Sequence, residues 1–189
     1  GARALPHRRM APEREVEREV LVVRYAEARE QLKSGDLLAW SHERWWSFYD
    51  FKIQLVRMFT RSVYCHVGIC WCVGGRVFVL EAVSAGVRIF PLSRELPFYW
   101  IPLHAHWESE VEAWALRQVG EPYSQWQAVL AGLGLLKPGE DSIWQCAEYT
   151  LEVLRRGGVD LGMTATPNAV VLSAQRQAGS VLHFVEADA

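Results

Sequence analysis

The sequence predicts an α+β domain in which a small antiparallel sheet packs against helices. The middle of the chain alternates apolar runs with glycine-containing turns, a pattern typical of an antiparallel meander. The flanking segments carry the amphipathic spacing and the capping residues of helices. With 189 residues, half of them hydrophobic, the chain is long enough for one domain with a substantial core.

Composition excludes several classes of protein. The chain has 20 basic and 22 acidic residues, so it lacks the basic footprint of a nucleic-acid-binding protein. No apolar run reaches the roughly 18 residues of a membrane-spanning helix. Four cysteines without a Cys-x-x-Cys motif predict neither a disulfide scaffold nor a zinc site, and we expect no metal and no cofactor. Nine tryptophans exceed what a core needs, so we expect some to line a groove.

The N-terminal part is predicted to be a basic tail followed by a helix. Residues 1–12 have the composition of a loose tail, and because no apolar segment follows it, we expect no signal peptide. Residues 13–189 then form the single domain. Residues 11–33 have Val16, Val20, Val23 and Ala26 at helical spacing between charged residues, which predicts an amphipathic helix.

Apolar runs between turn residues predict the strands. Gly74–Gly75 is a strong two-residue hairpin signal, and Ala85–Gly86 marks a second turn. Residues 41–62 are aromatic and basic, and are predicted to be a helix or an ordered excursion. The predicted strands are Leu37–Trp40, Tyr64–Val73, Arg76–Val83, Val87–Leu92, Phe98–Leu103 and Ser180–Val185.

Capping signals predict the remaining helices. Ser109–Glu112 reads as a capping box that opens a helix to about Val119, with Gly120 beyond its end. A weaker pattern predicts a helix over Tyr123–Leu136. Asp141 or Ser142 can cap a helix running to Arg156, and Thr166–Pro167 begins another.

Cys146 differs from the other cysteines in its position near the start of a predicted helix. Backbone N–H groups and the helix dipole at that place favour a thiolate and can bind an oxyanion. The same position is also typical of a small buried cysteine. Cys65, Cys70 and Cys72 fall in a strand, and their spacing matches no common metal-ligand pattern.

The hairpin register pairs a base with a carboxylate. If Gly74–Gly75 is a two-residue turn, Gly68 faces Glu81, and Glu81 is the diagonal neighbour of His66. Glu81 interrupts an apolar strand and needs a partner, and His66 is the one that the register offers. A three-residue turn would place Glu81 on the other face. The other histidines are expected to be structural or solvated: His42, His104, His106 and His183.

With these residues placed, the chain resembles the circularly permuted NlpC/P60 (papain-like) cysteine hydrolases of the YiiX/YaeF type. The resemblance covers about residues 32–158, and the histidine strand precedes the cysteine helix, as in the permuted group. Ala147 departs from relatives, which often have a small hydroxyl residue there. The matching segments are Leu32–Leu38, His66–Ile69, Val79–Ala82, Gly86–Val87, Gly120–Tyr123 and Gln145–Glu148.

The resemblance implies a papain-like fold, with a small antiparallel sheet or barrel packed against helices, and a Cys-His-Glu triad. Cys146 is implied as nucleophile, His66 as general base and acid, and Glu81 as the group that orients it. Asp36 is implied to be structural. Residues expected near the substrate are Tyr123, Trp144, Gln145, Trp45 and Trp46.

The expected function is that of a cysteine-dependent amidase or peptidase acting through a thioester on a peptidoglycan-type peptide or related amide. The expected location is the cytoplasm or a phage. One alternative is a lipid acyl hydrolase or transferase resembling lecithin:retinol acyltransferase, whose tryptophan-rich segment contacts a membrane surface. Those relatives usually carry a second histidine where this chain has Glu81. The other alternative is a non-catalytic structural or binding protein on the same fold.

Overall fold

The computed structural model describes six segments of the chain: residues 20–41, 63–83, 85–120, 143–162, 166–179 and 181–188. Four sequence predictions lie outside the described residues: the tail at 1–12, nearly all of the aromatic segment at 41–62, the helix over Tyr123–Leu136, and the helix cap at Asp141 or Ser142.

Seven strands form one sheet, with helices packed against it. The strands are β1 (Val20–Arg24), β2 (Leu37–Ser41), β3 (Tyr64–Val73), β4 (Arg76–Val83), β5 (Gly86–Pro91), β6 (Phe98–Ile101) and β7 (Leu182–Glu186). The helices are α1 (Tyr25–Ala28), α2 (Ser109–Arg117), α3 (Ile143–Arg156) and α4 (Pro167–Ala178), with a short 3₁₀ turn at Leu92–Arg94.

The strand order in the sheet is β1-β7-β6-β2-β3-β4-β5. Only the β1–β7 pair is parallel among the described strands, and the other neighbours are antiparallel. Because β1 and β5 form two free edges, the described strands make an open sheet rather than a barrel. The predicted α+β class is confirmed.

The β3–β4 hairpin has the predicted register, from Val73 opposite Arg76 to Ile69 opposite Leu80. The prediction for the next turn was wrong by one residue. Gly86 does not lie in the turn but begins β5 with a φ of 113°, opposite Val83. Glycine tolerates this conformation, which lets the strand start one residue earlier than the turn signal suggested.

The predicted helix over residues 11–33 was wrong in its described part. Residues Val20–Arg24 form β1, which pairs with β7, and only Tyr25–Ala28 is helical. Val20, Val22 and Val23 are β-branched, a type favoured in strands, and a distant partner strand outweighs the local helical pattern.

The predicted capping box of α2 does not form. Glu108 is the N-cap residue and its side chain makes no capping hydrogen bond, so Ser109 is already inside the helix. The Thr166–Pro167 signal is confirmed, because Thr166 Oγ1 accepts a hydrogen bond of 3.2 Å from the Ala169 backbone N–H.

Apolar side chains cover both faces of the sheet, because neighbouring strand residues point to opposite faces. Leu37 and Ile69 belong to the core beneath α2, α3 and α4, whereas Leu38 and Cys70 belong to the core beneath α1 and the 3₁₀ turn. Among the described tryptophans, Trp40, Trp100 and Trp114 are buried, whereas Trp45 and Trp46, which we expect to line a groove, lie outside the described residues.

Candidate active site

His66 lies on β3 beside an irregularity in the sheet. It pairs with Trp40 of β2, and the register shifts at the next residue, Ser41. The imidazole lies against the Trp40 indole with 5.4 Å between ring centroids. His66 is 9% exposed, so the indole shields much of one side of the imidazole from water.

Glu81 of β4 is hydrogen-bonded to one nitrogen of the His66 ring. His66 Nε2 and Glu81 Oε2 form a short hydrogen bond, which is the contact that the hairpin register predicted. Glu81 is 1% exposed. Gly68 lies beside Glu81, and a Cβ there would come within 3.3 Å of Glu81 Cβ. The glycine therefore leaves the space through which the two side chains meet.

Arg88 of β5 binds the other oxygen of Glu81, and the sequence analysis missed it. Arg88 is directly opposite Glu81 in the β4–β5 register, and its Nε donates to Glu81 Oε1 at 2.7 Å. A second guanidinium nitrogen lies 2.6 Å from the same oxygen. The signal was present: once β5 is started at Gly86, the register places Arg88 beside the buried carboxylate.

A second layer of contacts surrounds this pair. The Arg88 guanidinium lies 3.4 Å from Glu95 Oε1 and is stacked 4.5 Å from the centroid of the Phe90 ring. Trp40 Nε1 donates to the backbone carbonyl of Glu95 at 2.7 Å. Trp40, which packs against His66, is thus hydrogen-bonded to Glu95, the residue that also contacts Arg88.

Cys146 is the fourth residue of α3, and its side chain is 1% exposed. Its thiol forms a hydrogen bond with His66. Since Nε2 of the imidazole is bound by Glu81, Nδ1 is the ring nitrogen left for the thiol. The structure therefore brings Cys146, His66 and Glu81 together in the linear order that nucleophilic catalysis requires.

The electrostatics of the site favour a charged imidazole. Burial alone would lower the pKa of His66, but the Glu81 carboxylate and Cys146 raise it to about 10. Burial works to raise the pKa of Glu81, but His66 and Arg88 together hold it below its usual value. At neutral pH the site thus holds an imidazolium between the Glu81 carboxylate and the sulfur of Cys146.

Asp36 has the buried, hydrogen-bonded setting of a structural carboxylate. Its Oδ2 accepts from the Lys33 backbone N–H at 3.0 Å and from Trp100 Nε1 at 2.9 Å, and its Oδ1 from the Leu103 N–H at 3.3 Å. These bonds tie the start of β2 to β6 and the segment after it.

The side chains predicted to contact substrate lie outside the part of the chain that the structure describes. Tyr123, Trp45 and Trp46 lie outside the described residues. Trp144 and Gln145 belong to the first turn of α3, but their side chains lie outside the described part of the structure.

The remaining cysteines are free thiols of β3. Cys70 and Cys72 are hydrogen-bonded to each other with 3.7 Å between their sulfur atoms, and Cys65 donates to the Trp40 carbonyl. Within the described segments, no group of three or more His, Cys, Asp or Glu side chains is arranged to hold a metal ion.

No protein-family model matches the chain, and no curated protein matches it. Among solved structures, it is similar to the crystal structure of YiiX from Escherichia coli O157:H7, which is described as a metalloprotein. The two chains are 20% identical, with a TM-score of 0.47 and 70% of each chain covered. So distant a likeness says nothing about activity. No helix within the described segments has the length and apolar character needed to span a membrane.

Proposed function

We propose that this protein is a cysteine-dependent hydrolase that cleaves an amide bond through a thioester. The observation that carries the proposal is the buried His66, bound to Cys146 on one side and to Glu81 on the other. Burial normally removes charge from a histidine. This imidazole keeps its charge next to the sulfur of Cys146, and a neighbouring positive charge is what stabilises a nucleophilic thiolate.

In the acylation step, the thiolate of Cys146 attacks the carbonyl carbon of the substrate, and the carbonyl π electrons move to oxygen. Backbone N–H groups in the first turn of α3 are the donors nearest the nucleophile for that oxyanion. The intermediate collapses, the C–N bond breaks, and His66 Nδ1 gives its proton to the leaving amine. The acyl group stays on Cys146 as a thioester.

In the deacylation step, the now neutral His66 removes a proton from a water molecule as that water attacks the thioester carbonyl. The C–S bond breaks, the carboxylic acid leaves, and Cys146 returns as a thiolate beside the imidazolium. Glu81 stays hydrogen-bonded to Nε2 throughout, so it stabilises the imidazolium and fixes the orientation of the ring without itself accepting the proton.

The resemblance to permuted NlpC/P60 enzymes makes a cell-wall peptide the first substrate class to test. Glu81 supports an amidase over a lipid acyltransferase, since acyltransferases of this type usually carry a second histidine at that place. The substrate test is incubation with peptidoglycan fragments and, separately, phospholipid vesicles, with products identified by mass spectrometry. Released peptide fragments support the proposal, whereas lysophospholipid alone would assign the protein to lipid chemistry.

The nucleophile can be tested without a substrate, by comparing the alkylation of two cysteines by iodoacetamide. Cys146 and Cys70 are equally buried, at 1% and 0% exposure, so a difference between them reflects activation rather than access. Hydrogen bonding to Cys72 and burial raise the pKa of Cys70, which makes it an unreactive control. We expect Cys146 to react faster, and equal rates would contradict the assignment.

The Cys146→Ala variant should lose all turnover while unfolding at nearly the wild-type temperature, and Cys70→Ala should keep turnover. Retained activity in Cys146→Ala would exclude the mechanism. An inactive wild-type protein with an unreactive Cys146 would favour a binding role instead.

A further inference from the structure

We infer that Arg88 is a positioning residue of this site, which keeps Glu81 ionised and aimed at His66. The inference rests on the proposed hydrolase function and extends the Cys-His-Glu triad by a fourth residue. Arg88 has no direct contact with Cys146 among the bonds that the structure shows, so its effect must pass through Glu81 and His66.

The geometry is a row of three side chains across adjacent strands. His66 belongs to β3, Glu81 to β4 and Arg88 to β5, and Glu81 is between the other two. Each carboxylate oxygen has its own partner, Oε2 with His66 and Oε1 with Arg88. The carboxylate therefore cannot rotate toward a new partner without breaking one of the two bonds.

Arg88 is itself held in place. Glu95 contacts its guanidinium at 3.4 Å, and the Phe90 ring lies beneath it. The backbone carbonyl of Glu95 also accepts the hydrogen bond of Trp40, whose indole packs against His66. The contacts thus form a closed ring. His66 contacts Glu81, and Glu81 contacts Arg88. Glu95 then joins Arg88 to Trp40, which packs against His66.

The charges around Glu81 explain what Arg88 contributes. Glu81 is faced by the His66 imidazolium from β3 and by the Arg88 guanidinium from β5, and Glu95 faces Arg88 from beyond the 3₁₀ turn. Cys146 faces His66 from α3. Without Arg88, a buried carboxylate would depend on His66 alone, and the free energy of its ionised form would rise. Glu81 would then take up a proton at a higher pH and release its hold on His66.

The test is the pH at which the His66–Glu81 hydrogen bond is lost. The Nε2–H resonance of His66, followed by NMR during acidification, reports that bond in protein labelled at histidine. We expect Arg88→Met to lose it at a pH about one unit higher than the wild type, the low end for a guanidinium–carboxylate pair because Arg88 is partly exposed. Arg88→Lys keeps the positive charge, so its His66–Glu81 hydrogen bond should be lost at a pH close to that of the wild type.

The matched control is Arg156→Met. Arg156 also binds a buried carboxylate, with 2.7 Å from its Nε to Glu152 Oε1, and its side chain is 35% exposed compared with 38% for Arg88. It also stacks on an aromatic ring, that of Trp114. The control removes the same kind of interaction away from His66, so it should leave the His66 resonance unchanged.

A hydrolysis assay separates this inference from the proposed function. If the protein is a hydrolase, the acidic limb of kcat/KM should move up in pH by the same amount in Arg88→Met and stay in place in Arg156→Met. If the resonance shifts but the protein has no hydrolase activity, the positioning role of Arg88 stands and the proposed hydrolase function is refuted. A resonance that titrates as in the wild type would overturn the positioning role, even in an active enzyme. If Arg88→Met does not fold, Arg88→Gln, which removes the guanidinium charge and keeps a hydrogen-bond donor, should give a shift of the same sign.

Discussion

The replacement of Gly68 by alanine should destabilise the protein and disrupt the active site together. An alanine Cβ would lie 2.6 Å from Val79 Cγ2, 3.1 Å from the Leu80 carbonyl oxygen and 3.3 Å from Glu81 Cβ. Non-bonded carbon atoms prefer about 3.5–4.0 Å, so the Val79 methyl group would have to move on the order of 1 Å. Val79 and Leu80 are completely buried, so either residue can shift only by displacing its packed neighbours.

Overpacking of this kind typically costs about 1–3 kcal/mol of the free energy of unfolding. Gly68 does not have a left-handed φ, so alanine itself brings no backbone strain and offsets about 0.5–1 kcal/mol through its better strand preference. The midpoints of these two ranges leave a net loss of about 1 kcal/mol, which corresponds to a fall in Tm of about 2–4 °C for a domain of this size. Turnover should fall as well, because the added methyl group displaces Glu81 from His66.

The measurement is urea and thermal unfolding of Gly68→Ala, Val79→Ala and the double variant. Since the Val79 methyl group is the closest obstacle, its removal should relieve the clash, and the double variant should be more stable than the sum of the two single losses predicts. Wild-type stability in Gly68→Ala, or strict additivity of the two changes, would refute the reasoning about this contact.

The remaining predictions concern pH and helix capping. Because the pKa of His66 is raised from 6.5 to about 10 in the folded protein, its stabilising contribution is complete below about pH 6.5 and is lost as the pH rises through about 10. Urea unfolding across this range should show the stability advantage of the wild type over His66→Gln shrinking with pH, and a constant difference would contradict the raised pKa. Thr166→Ala removes the 3.2 Å capping bond to Ala169 and should cost about 1 kcal/mol of unfolding free energy, measured by urea titration, with turnover unaffected. An unchanged unfolding free energy would mean that the cap contributes nothing.

The contact between His66 and Glu81 could be predicted because it depends on local turn chemistry. Gly74 and Gly75 both have the positive φ of a two-residue hairpin, and such a turn fixes the pairing of every residue that follows. The pairing of Arg88 with Glu81 was not predicted, and the turn before β5 was placed one residue too late. A shift of one residue changes every pairing in the strand.

Features that depend on distant parts of the chain could not be predicted from local patterns. The strand at Val20–Arg24 forms beside Leu182–Glu186, at the other end of the described chain, and nothing in its own spacing indicates that partner. Similarly, the helix position of Cys146 could be predicted from its neighbours, whereas its hydrogen bond with His66 depends on how α3 packs against β3 and β4. The family resemblance implies that Cys146 and His66 act together, whereas the residues around Cys146 do not by themselves show which histidine it meets.

The distribution of the site along the chain determines when its chemistry can begin. His66, Glu81 and Arg88 lie on three consecutive strands, which a growing polypeptide completes well before residue 146 is synthesised. The thiol arrives later, on a helix that must dock against those strands before the imidazolium can act on it. Under the proposed mechanism, a nascent or partly folded chain therefore carries an ordinary cysteine, and Cys146 becomes a nucleophile only once α3 has docked against β3 and β4.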